Sequence, residues 1–304
     1  RAANGVVLIT TKSGTKGNIN VTYDGYYGIQ NTANTIKMLG ADDYKMLMNE
    51  GARNAGLTEP FDPNEVSVHD TDWQNELYQA NAPMFSHQVT VAGGSEKSTF
   101  SSSVSYFSQE GIIGGDKSQF ERITARINTT QKVNKVFSFG NNLAYSRIVR
   151  RGIASNTSFN GSLSSALNMD PLTPVYETDQ NILDLPPYST EPVVKGPDGQ
   201  VYGISNNVGA EIVNPLAQIA LANGESSKDE IVGNIYGQFE ILEGLKFKTD
   251  LGLNLANGMN EGYRDLFYLN GAQNNTNKTS VDKYMYRVST WQWENTLTYN
   301  KQVG

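Results

Sequence analysis

Hydrophobic and polar residues alternate with a period of two along most of this chain, the pattern of strands with two unlike faces. In residues 18–29, Val21, Tyr23, Tyr27 and Ile29 fall on one face, and Asn20, Thr22, Asp24 and Tyr26 on the other. Residues 85–92 set Phe85, His87, Val89 and Val91 against Ser86, Gln88, Thr90 and Ala92. The alternation is sharpest at 122–130, where Ile123, Ala125 and Ile127 oppose Arg122, Thr124, Arg126 and Asn128. It is equally sharp at 245–256, where Phe247, Thr249, Leu251, Leu253 and Leu255 oppose Lys246, Lys248, Asp250, Gly252 and Asn254. Runs at 100–107, 137–145, 231–241 and 285–299 bring the expected total to about eight, each near the ~9–11 residues that cross a bilayer at a tilt. A compact apolar run at 6–11 precedes them and ends at Lys12, Ser13 and Gly14.

The joins between these runs alternate in length. Short ones fall at 93–98, 131–136, 242–246 and 300–304; long polar ones run over about 30–83, 109–120, 148–229 and 257–284. An outer-membrane barrel places short turns on the periplasmic side and long loops outside, which is this rhythm. The expected fold is all-β, a partial antiparallel transmembrane β-barrel whose long extracellular loops carry short helices. Helical spacing of Tyr44, Leu47 and Met48 predicts a helix over 42–55, with shorter ones at 73–78, 163–167 and 215–222. Seven prolines between 171 and 215 hold the longest loop to extended or turning backbone, and Pro197-Asp198-Gly199 centres a hairpin at 195–202.

Composition fits this picture. Charged residues are 18% of the 304, below the roughly 25% of an ordinary soluble domain. No run of about 18 apolar residues offers a transmembrane helix. A mean hydropathy of -0.46 is compatible with a barrel, because only alternate strand residues meet lipid. Sixteen Tyr and three Trp suit interfacial girdles, and Phe137, Phe139, Trp291, Trp293 and Tyr299 cluster at strand ends. A net charge of -7 disfavours nucleic acid as a partner. The absence of Cys excludes a disulfide scaffold and thiolate metal sites. The abrupt start without Met, and an end in a short turn, read as a piece of a longer protein.

Several segments resemble the SusC/RagA-type TonB-dependent outer-membrane transporters. Arg1-Ala-Ala-Asn-Gly-Val-Val-Leu-Ile-Thr-Thr-Lys12 is similar to the last strand of that family's plug domain. Thr71-Asp-Trp-Gln-Asn-Glu-Leu-Tyr78 resembles the segment before its second barrel strand, and the stretch from His87 to Thr99 its first periplasmic hairpin. Tyr106-Phe-Ser-Gln-Glu-Gly-Ile112 and Phe120-Glu-Arg-Ile-Thr-Ala-Arg-Ile127 match the next hairpin in order and spacing. The match covers most of residues 1–147 and weakens to pattern beyond. The resemblance implies a plugged barrel of about 22 strands, in which residues 1–17 end the plug and 18–304 form the N-terminal part of the barrel. It also implies a SusD-like surface lipoprotein, energy from TonB through regions outside this chain, and oligosaccharide or peptide cargo. The setting would be the outer membrane of a Gram-negative, Bacteroidetes-like bacterium. No cofactor and no enzymatic activity are expected.

The loop aromatics Phe159, Tyr188, Tyr202, Tyr263, Phe267 and Tyr268 are candidate substrate contacts, since sugar rings stack on aromatic faces; the competing role is packing of the loops. Arg122, Arg126, Lys246 and Lys248 are expected to face the lumen, where such charges meet solute, plug or neighbouring strands. His69 and His87 have no metal-ligand spacing around them. Asp62, Glu65, Asp70 and Asp72 form an acidic stretch that fits a solvated loop better than a Ca²⁺ loop. No paired-carboxylate scaffold, nucleophile elbow or nucleotide fingerprint is present. A secreted β-rich glycan-binding module remains the alternative; it would hide Leu251, Leu253 and Leu255 in a common core. An autonomous eight-stranded barrel is a third reading.

Overall fold

A computed structural model describes residues 14, 16–154 and 161–300. The apolar run at 6–11 lies outside them. Eight long strands form one antiparallel sheet in which every strand pairs with its neighbours along the chain: β1 (Gly17–Gln30), β2 (Ala82–Gly94), β3 (Ser98–Gly111), β4 (Gly115–Lys132), β5 (Phe137–Arg151), β8 (Glu225–Leu242), β9 (Leu245–Arg264) and β12 (Ser280–Tyr299). The outer loops carry two small ladders, β6 (Tyr176–Glu177) with β7 (Val201–Tyr202), and β10 (Phe267–Tyr268) with β11 (Asn274–Asn275). Among the described residues they also carry five helices: α1 (Ala41–Asn54), α2 (Trp73–Leu77), α3 (Ser162–Asn168), α4 (Gln180–Leu183) and α5 (Pro215–Ala220).

Register carries the two-faced pattern from strand to strand. One row runs Ile127, Leu143, Gly233, Leu253, Trp291 across β4, β5, β8, β9 and β12. The row one residue away runs Arg126, Ala144, Val232, Asn254, Thr290. A one-residue slip of any strand would exchange its two faces, so the alternation fixes the register. The apolar face is not covered: Trp291 is 73% exposed and Ile235 53%. A sandwich would bury such a face.

On this face an aromatic row closes the short-turn end. Phe137 stacks on Phe239 with centroids 4.7 Å apart, and Phe239 lies 6.5 Å from Phe247. Ten residues further along each strand comes the row Arg147, Asp229, Asn257, Arg287. At ~3.3 Å per residue and a tilt of ~40°, the apolar band is about 25 Å tall, the height of the lipid-facing band of an outer-membrane barrel.

The strands run longer than the alternation implies, and the long joins are correspondingly shorter. The expected excursion at 109–120 is not a loop. β3 continues to Gly111 and β4 begins at Gly115, leaving residues 112–114 as a tight turn. Gly114 and Gly115 adopt φ of +84° and +49°, which side chains other than Gly tolerate poorly. Beyond the apolar band the strand residues are polar, yet pairing still satisfies their backbone groups, so the ladder extends into water.

The remaining loops fold together beyond the outer strand ends. Trp73 and Leu77 from the first loop pack on Ala166 and Met169 from the third, with Ile113 of the β3–β4 turn against them. Trp73 donates its indole N–H to the Asp170 carbonyl at 2.8 Å. A second cluster joins Val194, Tyr202, Val213 and Ala217 to Leu269 of the fourth loop. Asn214 caps α5 through the N–H groups of Leu216 and Ala217 and donates to the carbonyls of Val175 and Gly203. The fully buried Asp170 carboxylate accepts from Thr173, Ser205, Asn207 and the Leu172 N–H. These bonds offset the cost of burying its charge.

Candidate functional site

The polar face of the wall carries the chemistry. Near the short-turn end, Asn142 donates to Asn234 at 3.0 Å, and Asn234 donates to both Asp250 oxygens at 2.7 and 2.9 Å. Lys248 donates to Asp250 at 2.7 Å and sits 4.5 Å from the centre of the Tyr236 ring, whose hydroxyl reaches Thr130. Four strands are thus tied by one network. Lys248 is held within it and presents less free charge than its sequence position implies.

Nearer the outer end the same face differs. Arg122 lies 5.8 Å from the Phe107 ring centre, Arg150 lies 5.2 Å from that of Phe120, and the two rings meet edge-on at 5.8 Å. Cross-strand register explains the grouping: Phe107 pairs with Arg122, and Phe120 with Arg150. Among the described residues, Arg122, Arg126 and Arg150 make no ion pair. Guanidiniums resting on aromatic faces keep their N–H edges free for carboxylate, phosphate or sugar hydroxyls. A groove of about 630 Å³ crosses this level, lined among others by Gln109, Phe120, Arg150, Ser226 and Asn260. Phe107, Phe120 and Arg150 were not singled out in the sequence. They become visible only once register places them beside Arg122.

Of the residues marked from sequence, Arg122, Arg126, Lys246 and Lys248 share the polar face. The loop aromatics do not converge. Phe159 lies outside the described residues. Tyr202 is 6% exposed and stacks on Tyr176 at 4.8 Å; Phe267 packs on the same cluster. These two are loop-core residues, because the small ladders need an apolar face of their own to pack. Burial pushes the Tyr202 phenol well above its ordinary range, and its neighbour Tyr176 adds to the shift. Tyr188 accepts the Ile204 N–H at 2.8 Å, and burial raises its phenol as well. Tyr268 pairs with Asn274, and Tyr263 stands half-exposed beyond the outer end of the apolar band.

The acidic stretch serves backbone. Asp70 accepts the Ala41 N–H at the start of α1, Asp72 caps α2 through Gln74 and Asn75, and Asp62 closes a turn onto Asn64. His87 stacks on Tyr23 and shares a 2.6 Å hydrogen bond with its hydroxyl on the apolar face.

An antiparallel meander with one bare apolar face, one polar face and all its folded loops at one end is a segment of a transmembrane β-barrel wall. No family model matches the chain. It is 29% identical, over its full length, to TonB-dependent receptor P3 of Formosa agariphila. It is 26% identical over 99% of its length to TonB-dependent receptor SusC of Bacteroides thetaiotaomicron. The chain spans 27% of each of these relatives, about a quarter of their length. In structure it superposes along its whole length on 35% of a chain of the RagAB peptide transporter, with a TM-score of 0.76 at 20% identity. The chain is thus similar, along its whole length, to a stretch of the SusC/RagA-type TonB-dependent receptors.

Proposed function

We propose that the chain forms part of the wall and outer loop assembly of a TonB-dependent importer in the outer membrane of a Bacteroidetes-like bacterium. The carrying observation is the pairing of a bare apolar face with a polar face that holds unpaired arginines. On this reading the apolar face meets lipid and the polar face lines the lumen. Arg122, Arg126 and Lys246 then stand along the solute path, and Lys248 stiffens the wall through Asp250. Residues 1–17 complete a plug and the rest belongs to the barrel. Cargo is an oligosaccharide or a peptide, captured by stacking on Phe107 and Phe120 and by charge-assisted hydrogen bonds to Arg122 and Arg150. The wall performs no covalent chemistry.

Two partners follow from this reading. A SusD-like lipoprotein closes over the loops, supported by the exposed apolar residues Ile36, Leu57, Val66 and Val68 in the first loop. TonB supplies energy through regions outside this chain. The test is uptake of labelled oligosaccharides and peptides by cells carrying the full-length receptor, with and without TonB. TonB-dependent uptake of one class is expected. Surface binding that is indifferent to TonB and never followed by entry would sink the proposal and favour a glycan-binding module.

A further inference from the structure

We infer that the outward face of this wall carries a binding site for a phosphorylated sugar headgroup of an outer-leaflet glycolipid, built on Arg147 and Arg287. The inference rests on the membrane reading above and goes beyond it. Between the Phe137–Phe239–Phe247 row and the row of Arg147, the apolar face of the described strands bears no charged residue. Then β5, β8, β9 and β12 present Arg147, Asp229, Asn257 and Arg287 side by side at one height. That height is the outer edge of the ~25 Å apolar band, where lipid headgroup phosphates lie.

The row is built to bind an anion. Arg147 holds Asp229 at 3.1 Å, and Tyr145 also donates to Asp229. The acid is thereby neutralised and one edge of Arg147 stays outward, its side chain 52% exposed. Arg287 makes no ion pair among the described residues, so the row keeps one uncompensated positive charge. A cavity of about 440 Å³ opens here, lined by Arg147, Asn257, Arg287, Ser227, Met259 and Met285. Three strand spacings separate Arg147 from Arg287, about 14 Å of backbone. That gap is wide for one bare ion and suits a sugar phosphate spanned by two guanidiniums, with Asn257 and Ser227 toward its hydroxyls. The methionines supply apolar walls at the ring's edge.

The full-length receptor is purified in mild detergent and its retained lipid identified by native mass spectrometry. It is then re-supplied with a phosphorylated lipid A-type glycolipid, its dephosphorylated form, or phosphatidylglycerol. The parent should retain the phosphorylated glycolipid, and R147Q/R287Q should retain about tenfold less. K97Q, in the short turn at the opposite end, should match the parent. Equal retention by R147Q/R287Q overturns the site, as does equal retention of the dephosphorylated lipid. Arginine-dependent retention of phosphatidylglycerol alone overturns the glycolipid assignment. Cell fractionation runs alongside: absence of the parent from the outer membrane refutes the membrane reading itself, a result separate from loss of the headgroup in a correctly inserted receptor.

Discussion

Leu253 and Asn254 are adjacent in β9 but point to opposite faces near the middle of the band, so a matched pair of lysine substitutions tests the wall's orientation. Leu253 lies in the apolar row of Ile127, Leu143 and Trp291, and Asn254 in the row of Arg126 and Thr290. Lysine on the lipid side of a barrel at the midplane costs about 2–4 kcal/mol. At about 1.4 kcal/mol per decade, Leu253→Lys should lower the folding equilibrium of the full-length receptor by about 30- to 1000-fold. Asn254→Lys places the same charge in the wet interior. The Asn254 side-chain amide oxygen Oδ1 has no hydrogen-bond partner among the described residues, so its loss removes no bond there. Its expected cost is below about 1 kcal/mol. The assay is urea-dependent folding into lipid vesicles, read by heat-modifiable migration. Equal costs for both variants, or a larger cost for Asn254→Lys, would show that the faces are not lipid and lumen and would refute the orientation argument.

Four further outcomes are expected. Trp73→Ala should cost the loop assembly about 3–5 kcal/mol, seen as faster proteolysis within the loops while the barrel band stays heat-modifiable. Gly244→Ala should destabilise far more than Gly199→Ala in urea titrations: both have φ near +80°, but a Cβ at Gly244 would meet the Asn300 carbonyl oxygen at 2.2 Å, whereas Gly199 faces open space. Loop stability should fall above pH 10. There an unfolded Tyr202 ionises while the folded phenol, raised by burial, keeps its proton; Tyr202→Phe should lessen the fall in a pH series of proteolysis rates. Arg122→Gln with Arg150→Gln should weaken binding of carboxylate-bearing cargo about tenfold in calorimetry and leave the melting temperature within a few degrees.

The wall was legible in the sequence because barrel strands write their two faces into alternate residues. Ile123, Ala125 and Ile127 against Arg122, Thr124 and Arg126 needed no tertiary information. Strand ends were less legible. Past Arg147 or Asn257 both faces meet water, alternation loses its physical cause, and Gln109, Gln119 and Ser226 read as loop although they pair. The site was half legible. Arg122 stood out as a charge in an alternating strand, but Phe107 and Phe120 carried no functional signal until register set them on the polar face beside arginines. Tyr202 and Phe267 misled in the opposite sense, since an aromatic in a polar loop reads as exposed unless the loop has a core. The Val194, Val213 and Ala217 that build that core are scattered over 24 residues with no single period.

The three long loops meet over the tight β3–β4 turn, where Gln79 hydrogen-bonds Ile112 and Thr71 reaches Pro171 and Thr173 across four strands. The loop surfaces are therefore not modular. Transplanting one loop from a relative would strip Trp73 or Leu269 of its partners and open the apolar clusters of the others. On the importer reading proposed above, new cargo preferences should arise by concerted change across all three loops, or by point changes on the rigid wall beneath them.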